Sequence, residues 1–425
     1  MRFKRSIPVF LLVSVLLASC SDTPEITQLT IVPSWTVDLP QELGPVQEGA
    51  SNDDHILVVA DNGSAVLSTD DGELLWSMPD SDLPIAVETR LLYDTVVLGI
   101  GPEGYVAWDI RTREELYRYE DAIYDWAAFD DCLIVLGSPG GEALMLALDP
   151  ETGDGIWQEN IHDHFFKLIP EGSGDGYYAN AVTLPAAGTQ VVLWARSADH
   201  PIHGQVRDVS TGQVLSVLDS DTDDGDWQQT SFTSPQRFTE WNEDGDITTY
   251  DTATGSQVWE AMVGWVTGPV TDTSLLVGND DHTRSILDID TGEIIGSIEA
   301  HLNGLHVDNR AVYLTTSSRD TISVVARALN GSGDLWSHPF EVNAPAYPHV
   351  LWSGATDTHL VYHYRTYLDN GTTVDKTIAV RLNDGMLLWL EGQSINPLST
   401  QNGTVTATHS HDDNPQGVVS YFKLY

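Results

Sequence analysis

One nine-residue pattern recurs along nearly the whole chain and limits what it can fold into. Its fullest form is Asp251-Thr252-Ala253-Thr254-Gly255-Ser256-Gln257-Val258-Trp259. Asp251 and Thr254 are short polar side chains that can bond the local backbone. Gly255 can take the positive φ that a hairpin turn with a bulge needs. Gln257 and Trp259 then point to one face of the next strand and Val258 to the other. Each copy therefore reads as strand, tight turn, strand, with a large indole at a fixed offset as a packing device.

Seven further copies follow the same plan. Ser68–Trp76 carries Gly72, and Asp109–Tyr117 has Arg113 where the glycine belongs. Asp149–Trp157 is complete, with Thr152 and Gly153. The fourth copy keeps Asp208, Thr211 and Gly212 but has Ser216 at the aromatic position, and the sixth keeps Asp288, Thr291 and Gly292 but ends in Gly296. Around Asn330–Trp336 the turn is one residue out of register, and Arg381–Trp389 retains Gly385 and the aromatic. Successive copies are 37 to 59 residues apart, mostly near 40, the period of a four-stranded propeller blade. No segment between turns sustains a 3.6-residue apolar period, which disfavours a helical solenoid.

The expected fold is thus all-β, a single propeller of four-stranded antiparallel blades over residues 27–425. The tail Gly417–Tyr425 is a strand that stops where a turn and an outer strand should follow, and Trp35 in Pro33–Val37 reads as that missing strand. A blade assembled from both chain ends would close the ring and remove its free sheet edges. Eight internal copies plus this composite make nine. Eight blades are expected, with one copy degenerate or one terminal strand outside the ring, and seven and nine are the alternatives. The long steps, one holding His162–Phe166 and Glu171–Gly176 and the other Pro345–His349 and Asp369–Thr372, are expected at the rim, where partners dock.

The first nineteen residues read as an export signal: Arg2, Lys4 and Arg5 precede the apolar run Ile7–Ala18. The run ends in Leu17-Ala18-Ser19-Cys20, which resembles a bacterial lipobox. That resemblance implies cleavage before Cys20, lipidation of Cys20, and a tether over residues 20–26 that holds an exported protein at a membrane. With Cys20 lipidated, Cys132 has no disulfide partner and reads as a buried hydrophobe. The charge balance, 63 acidic against 19 basic residues for a net of −44, speaks against nucleic acid, because a phosphate-binding surface needs clustered Lys and Arg.

The motif Asp-x-x-Thr-Gly-x-x-x-Trp, whole at Asp149–Trp157 and Asp251–Trp259, resembles the pyrroloquinoline-quinone-type propeller repeat. The resemblance implies that Trp35, Trp76, Tyr117, Trp157, Trp259, Trp336 and Trp389 dock neighbouring blades, over turns carrying Gly72, Gly153, Gly212, Gly255, Gly292 and Gly385. The family has an enzymatic branch of quinone-dependent dehydrogenases and a branch of binding lipoproteins, among them the outer-membrane β-barrel-assembly lipoprotein. The enzymatic branch typically carries adjacent cysteines over its quinone, and this chain has no Cys-Cys pair. The expectation is a non-catalytic, lipid-anchored binding or scaffold protein of the cell envelope, taking envelope proteins or an extracellular ligand as partner and no quinone; a quinone-dependent or metal-dependent enzyme is the alternative. Trp108-Asp109 hints at a WD repeat, but only one copy carries that dipeptide.

Two constellations offer ligand chemistry. Asp219, Asp221 and Asp223 alternate like the start of a calcium loop, although Gly225 falls one residue late and Thr230 stands where a bidentate Glu belongs. Calcium is therefore the one cofactor weighed there, against a solvated acidic loop. His162 with His164, and His409 with His411, have the i, i+2 spacing that puts two imidazoles on one strand face, as zinc or copper would need. No Walker loop, Gly-x-Ser-x-Gly or His-Glu-x-x-His occurs.

Overall fold

The computed structural model of the chain describes residues 29–137, 144–161, 164–170, 182–183, 186, 188–197, 200–218, 229–241, 245–262, 266–271, 273–278, 284–298, 305–307, 310–318, 321–328, 333–341, 349–355, 358–367, 373–390, 395–401, 404–409 and 418–424. Among these, the strands form nine sheets, each with an antiparallel four-stranded core. Blade one consists of Val46–Ser51, His55–Ala60, Gly63–Ser68 and Leu74–Pro79, and blades two to eight repeat that meander. Blade nine is composite: Ile395–Gln401, Thr404–His409 and Val418–Lys423 are completed by Trp35–Asp38, antiparallel to Val418–Lys423. The ring has nine blades, one more than the eight expected. No internal copy is lost, because a turn needs only its backbone geometry, and even the copies lacking the aromatic keep that.

In every blade the first strand comes first from the centre of the ring, and the first strands touch from blade three through to blade seven and from blade eight through blade nine to blade one. Second strands such as His55–Ala60 and Cys132–Gly137 are buried throughout, so they read as unbroken apolar runs rather than alternating ones. The core is therefore a set of layers between blades. One layer joins Leu57, Val66 and Trp76 of blade one to Leu92, Val106 and Trp108 of blade two, and another joins Val361, Ala379 and Leu388 of blade eight to Val405 and Phe422 of blade nine.

Two blades carry a fifth strand. Leu29–Ile31 runs parallel to the outer strand of blade eight, Leu387–Leu390, before the chain crosses to complete blade nine. A parallel partner starts where its neighbour starts, so the chain enters the ring on the face that carries the Thr-Gly turns. Val182–Thr183, from the insertion within blade four, runs parallel to the innermost strand of blade two, Thr89–Leu92. Ala186 then bridges Phe129 of blade three, and the same short strand lies against blade one. This part of the insertion thus runs along the inner wall of the ring, not at the rim, because the inner edges of blades two and three offer backbone partners there.

Candidate functional site

The repeat turns share one geometry. In blade five the carboxylate of Asp251 accepts the amides of Ala253 (3.1 Å) and Thr254 (2.9 Å) and the Thr254 hydroxyl (2.9 Å), and the Gly255 amide donates to the Asp251 carbonyl at 2.8 Å. Gly255 has φ +74°, and Gly72, Gly153, Gly212, Gly292 and Gly385 lie within a few degrees of it. Although burial pushes the Asp251 carboxyl up, Thr254 and the Arg237 guanidinium outweigh it and hold it below the ordinary carboxylate range. Thr112 does the same for Asp109 through its amide and hydroxyl.

These turns receive the aromatic of the preceding blade. Trp76 donates its indole N–H to the Ile110 carbonyl at 2.7 Å, Trp157 to Val209 at 2.7 Å, Trp259 to Ile289 at 2.7 Å, and Trp35 of the composite blade to Thr69 at 2.9 Å. Tyr117 reaches the Pro150 carbonyl through its hydroxyl at 2.5 Å. Each acceptor sits three residues before the turn glycine or its replacement, so one carbonyl per turn is aimed back at the previous blade. The rings lie flat on the glycines: a Cβ added at Gly72, Gly153, Gly212 or Gly292 would meet the indole or phenol at 2.5 to 2.9 Å.

The departures from consensus show what each junction requires. Ser216 replaces the aromatic in blade four and donates its hydroxyl to the Thr252 carbonyl at 2.5 Å, and the strand closes up until Gly255 abuts the Val217 carbonyl. Arg113 takes φ +63° in place of glycine; its guanidinium reaches back to the Ser77 carbonyl (2.9 Å) and to Asp82 (3.3 Å) in blade one. A Cβ added at Gly385 would meet the Trp336 ring at 2.7 Å, but the Trp336 indole N–H has no acceptor among the described residues. His338, stacked on that indole with ring centroids 5.3 Å apart, instead bonds the Asp384 carbonyl at 2.8 Å. Buried Arg207 of blade four bonds Glu159 of blade three, and Arg237 of blade five bonds Asp290 of blade six at 2.8 Å. Sequence spacing signals none of these arginine clasps, since the repeat has no consensus arginine to point to them.

Trp389 pairs with Thr30 in the fifth strand of blade eight, and its side chain lies outside the described residues. The same holds for Cys20, for Asp219, Asp221 and Asp223, for His162 and His411, and for the side chains of His164 and His409, whose backbones lie in inner strands of blades four and nine. Among the described residues, no group of three His, Cys, Asp or Glu side chains is placed to hold a metal ion. Cys132 is free and buried, its thiol pushed up to about 12 chiefly by burial. Towards the axis, the Asp125 carboxylate of blade three takes the Leu168 amide of blade four at 2.5 Å. Buried Arg90, in the strand that Val182–Thr183 joins, pairs with Asp80 at 2.7 Å.

No family model matches the chain, and no curated protein matches it in sequence. Similar solved structures include the computationally designed Ika8 protein, 18% identical over 82% of this chain and 99% of that one, TM-score 0.47. They also include BamB from Moraxella catarrhalis, 13% identical over 82% and 99%, TM-score 0.44. Hsv2 from Kluyveromyces lactis is 11% identical over 79% and 98%, TM-score 0.38.

Proposed function

We propose that the chain is a lipid-anchored, extracytoplasmic propeller that binds partners in the cell envelope without catalysing a reaction. The reading rests on one conjunction: a lipobox ending at Cys20 stands nine residues before Leu29, the first strand of a ring whose repeat residues spend their polar groups on neighbouring blades. Asp251, Thr254 and the Trp259 indole all bond within the scaffold, so the repeat builds a surface and leaves recognition to what that surface displays. Nine residues at ~3.5 Å each span at most about 30 Å. In this reading the Thr-Gly turn face lies towards the membrane, and the loops that link one blade to the next point away from it.

The anchor is tested by Cys20→Ala, which should move the protein from the membrane to the soluble fraction; unchanged fractionation would overturn it. The non-catalytic reading is tested with the purified full chain, pyrroloquinoline quinone and calcium in a dye-linked assay with alcohols and sugars. No turnover above a quinone-only control is expected, and turnover refutes the reading.

A further inference from the structure

The first strand of blade two is covered where those of its neighbours are open. Thr89–Leu92 is buried at all four residues, whereas Gln47 in the first strand of blade one and Tyr124 in that of blade three are exposed. What covers it comes from another blade. Val182–Thr183, out of the insertion of blade four, pairs with Arg90 and Leu91 and lies against blade one, and Ala186 bridges Phe129 of blade three. This strap sits where the circuit of touching first strands is interrupted. A parallel strand two residues long forms few ladder bonds, so little holds it in place.

One polar group beneath the strap is left unanswered. Along Thr89–Leu92, Leu91 packs in the layer shared with blade three and Leu92 in the layer shared with blade one. Arg90 therefore lies on the blade-one side with Leu92, and there its guanidinium pairs with Asp80, in the turn that follows blade one, at 2.7 Å. Arg90 is 3% exposed, yet its Nε–H has no acceptor among the described residues. An unpaired donor at that depth is destabilising, and more so on a charged group. The strap residue in register with Arg90 is Val182, a residue type with no acceptor in its side chain. Neighbours in register share a face of the sheet, so Asn or Gln at that position would bring an amide oxygen to the side on which the Nε–H lies.

We propose that the inner edge of blade two is a strand-addition site which the strap of blade four occupies in cis, and that it takes in exchange an extended segment of a partner protein with Asn or Gln in the place of Val182. The segment is uncharged, as the strap itself is from Asn180 to Ala187. Main-chain bonds to the edge supply the affinity, and the amide oxygen on Arg90 supplies the selection. Asp80 already balances the guanidinium, and the net charge of −44 tells against a second carboxylate in that role. While the strap is in place it lowers the apparent affinity for the segment, so it is a built-in inhibitor. The proposal gives the binding reading above a mode of docking and rests on it.

The probes are two fluorescent peptides, one with the sequence of residues 180–187, Asn-Ala-Val-Thr-Leu-Pro-Ala-Ala, and one with Gln in place of its Val. Both are titrated by anisotropy into the purified full chain and into the double variant Val182→Pro, Thr183→Pro. That variant lacks both N–H groups of the strap, whichever faces the edge, and its release is read as faster amide exchange over residues 89–92. The variant should bind either peptide roughly tenfold or more tighter than the wild-type chain does, and both proteins should prefer the Gln peptide. Arg90→Met in the variant should abolish that preference and keep binding of the Val peptide; Arg90→Lys takes its place if unfolding curves show that the methionine impairs folding. Equal binding to wild type and variant, no binding to the variant, equal binding of the two peptides, or unchanged exchange over 89–92 would each overturn the proposal. The anchor and the non-catalytic reading would stand in every case, because fractionation and turnover test them separately.

Discussion

Arg113 shows how a single residue departs from a repeat without breaking it. A non-glycine residue at φ +63° costs on the order of 1 kcal/mol or more, and its guanidinium recovers part of that through Ser77 and Asp82. Arg113→Ala should keep the strain, lose the clasp and destabilise by about 1 kcal/mol, while Arg113→Gly should stay within about 0.5 kcal/mol of wild type because relief and loss offset each other. Urea midpoints of the two variants check this, and a larger loss for the glycine variant would contradict it. Gly255 is the opposite case, with both its φ and its contact with the Val217 carbonyl excluding a side chain. Gly255→Ala should cost about 3 kcal/mol, against less for Gly292→Ala, whose neighbour is an indole that can shift.

His359 adds a pH dependence at the same scale. Burial foremost, and then Arg381, lower its pKa from the ordinary 6.5 to about 4; burial also lowers that of His55. Below pH 6.5 the unfolded chain takes up a proton that folded His359 refuses, so stability falls as pH drops from 6.5 towards 4, at up to about 1.4 kcal/mol per pH unit. The depressed carboxyls of Asp109, Asp208, Asp251 and Asp384 act lower: their contribution is present above their unfolded pKa near 4 and is lost below it. Urea midpoints at pH 7.5 and 5 should converge in His359→Gln relative to wild type; an unchanged gap would remove His359 from the account.

At the scale of elements, the unit of construction is the junction between an outer strand and the next blade's turn. Trp259→Phe keeps most of the packing and orphans only the Ile289 carbonyl, for a loss of about 1 kcal/mol. Trp259→Ala also removes the ring and should cost about 3 kcal/mol. The same pair at Trp336 should differ: its indole N–H has no acceptor among the described residues, so Trp336→Phe should be nearly neutral. A double-mutant comparison by chemical denaturation separates hydrogen bond from packing at the two sites. The strand–turn–strand units were legible from Asp251–Trp259 alone, because the Asx bonds and the bulge are local. The arginine clasps, and the inner-wall path of Val182–Ala186, were not, because their partners belong to other blades and only folding brings them together.

For the whole molecule, closure depends on ten residues. Trp35–Asp38 supplies the fourth strand of blade nine, where Trp35 stacks on Tyr421 with centroids 5.3 Å apart, and Leu29–Ile31 seals blade eight. A chain beginning at residue 39 would leave Val418–Lys423 as a free edge and remove Ile31 from the layer between blades eight and nine. It should unfold at lower urea and lose a single cooperative transition, whereas Trp35→Ala should lower the midpoint and keep one transition. If the truncated chain unfolds like the full one, closure by the termini contributes nothing to stability.

The amino-acid sequence by itself determined the class, the blade period and the use of both chain ends, since turns, strands and their spacing are written in contiguous residues. The number of blades was decided only by tertiary structure, because whether an imperfect copy forms a blade depends on what its neighbours offer it. Ser216 and Gly296 break the motif as text, yet their strands still pair with full ladders. The same holds for the exposed aliphatic pair of blade four. Leu215 and Val217 look like Leu388 and Leu390 in sequence, yet Leu388 and Leu390 are buried against Val405 and Phe422 of blade nine, whereas Leu215 and Val217 are 47% and 50% exposed.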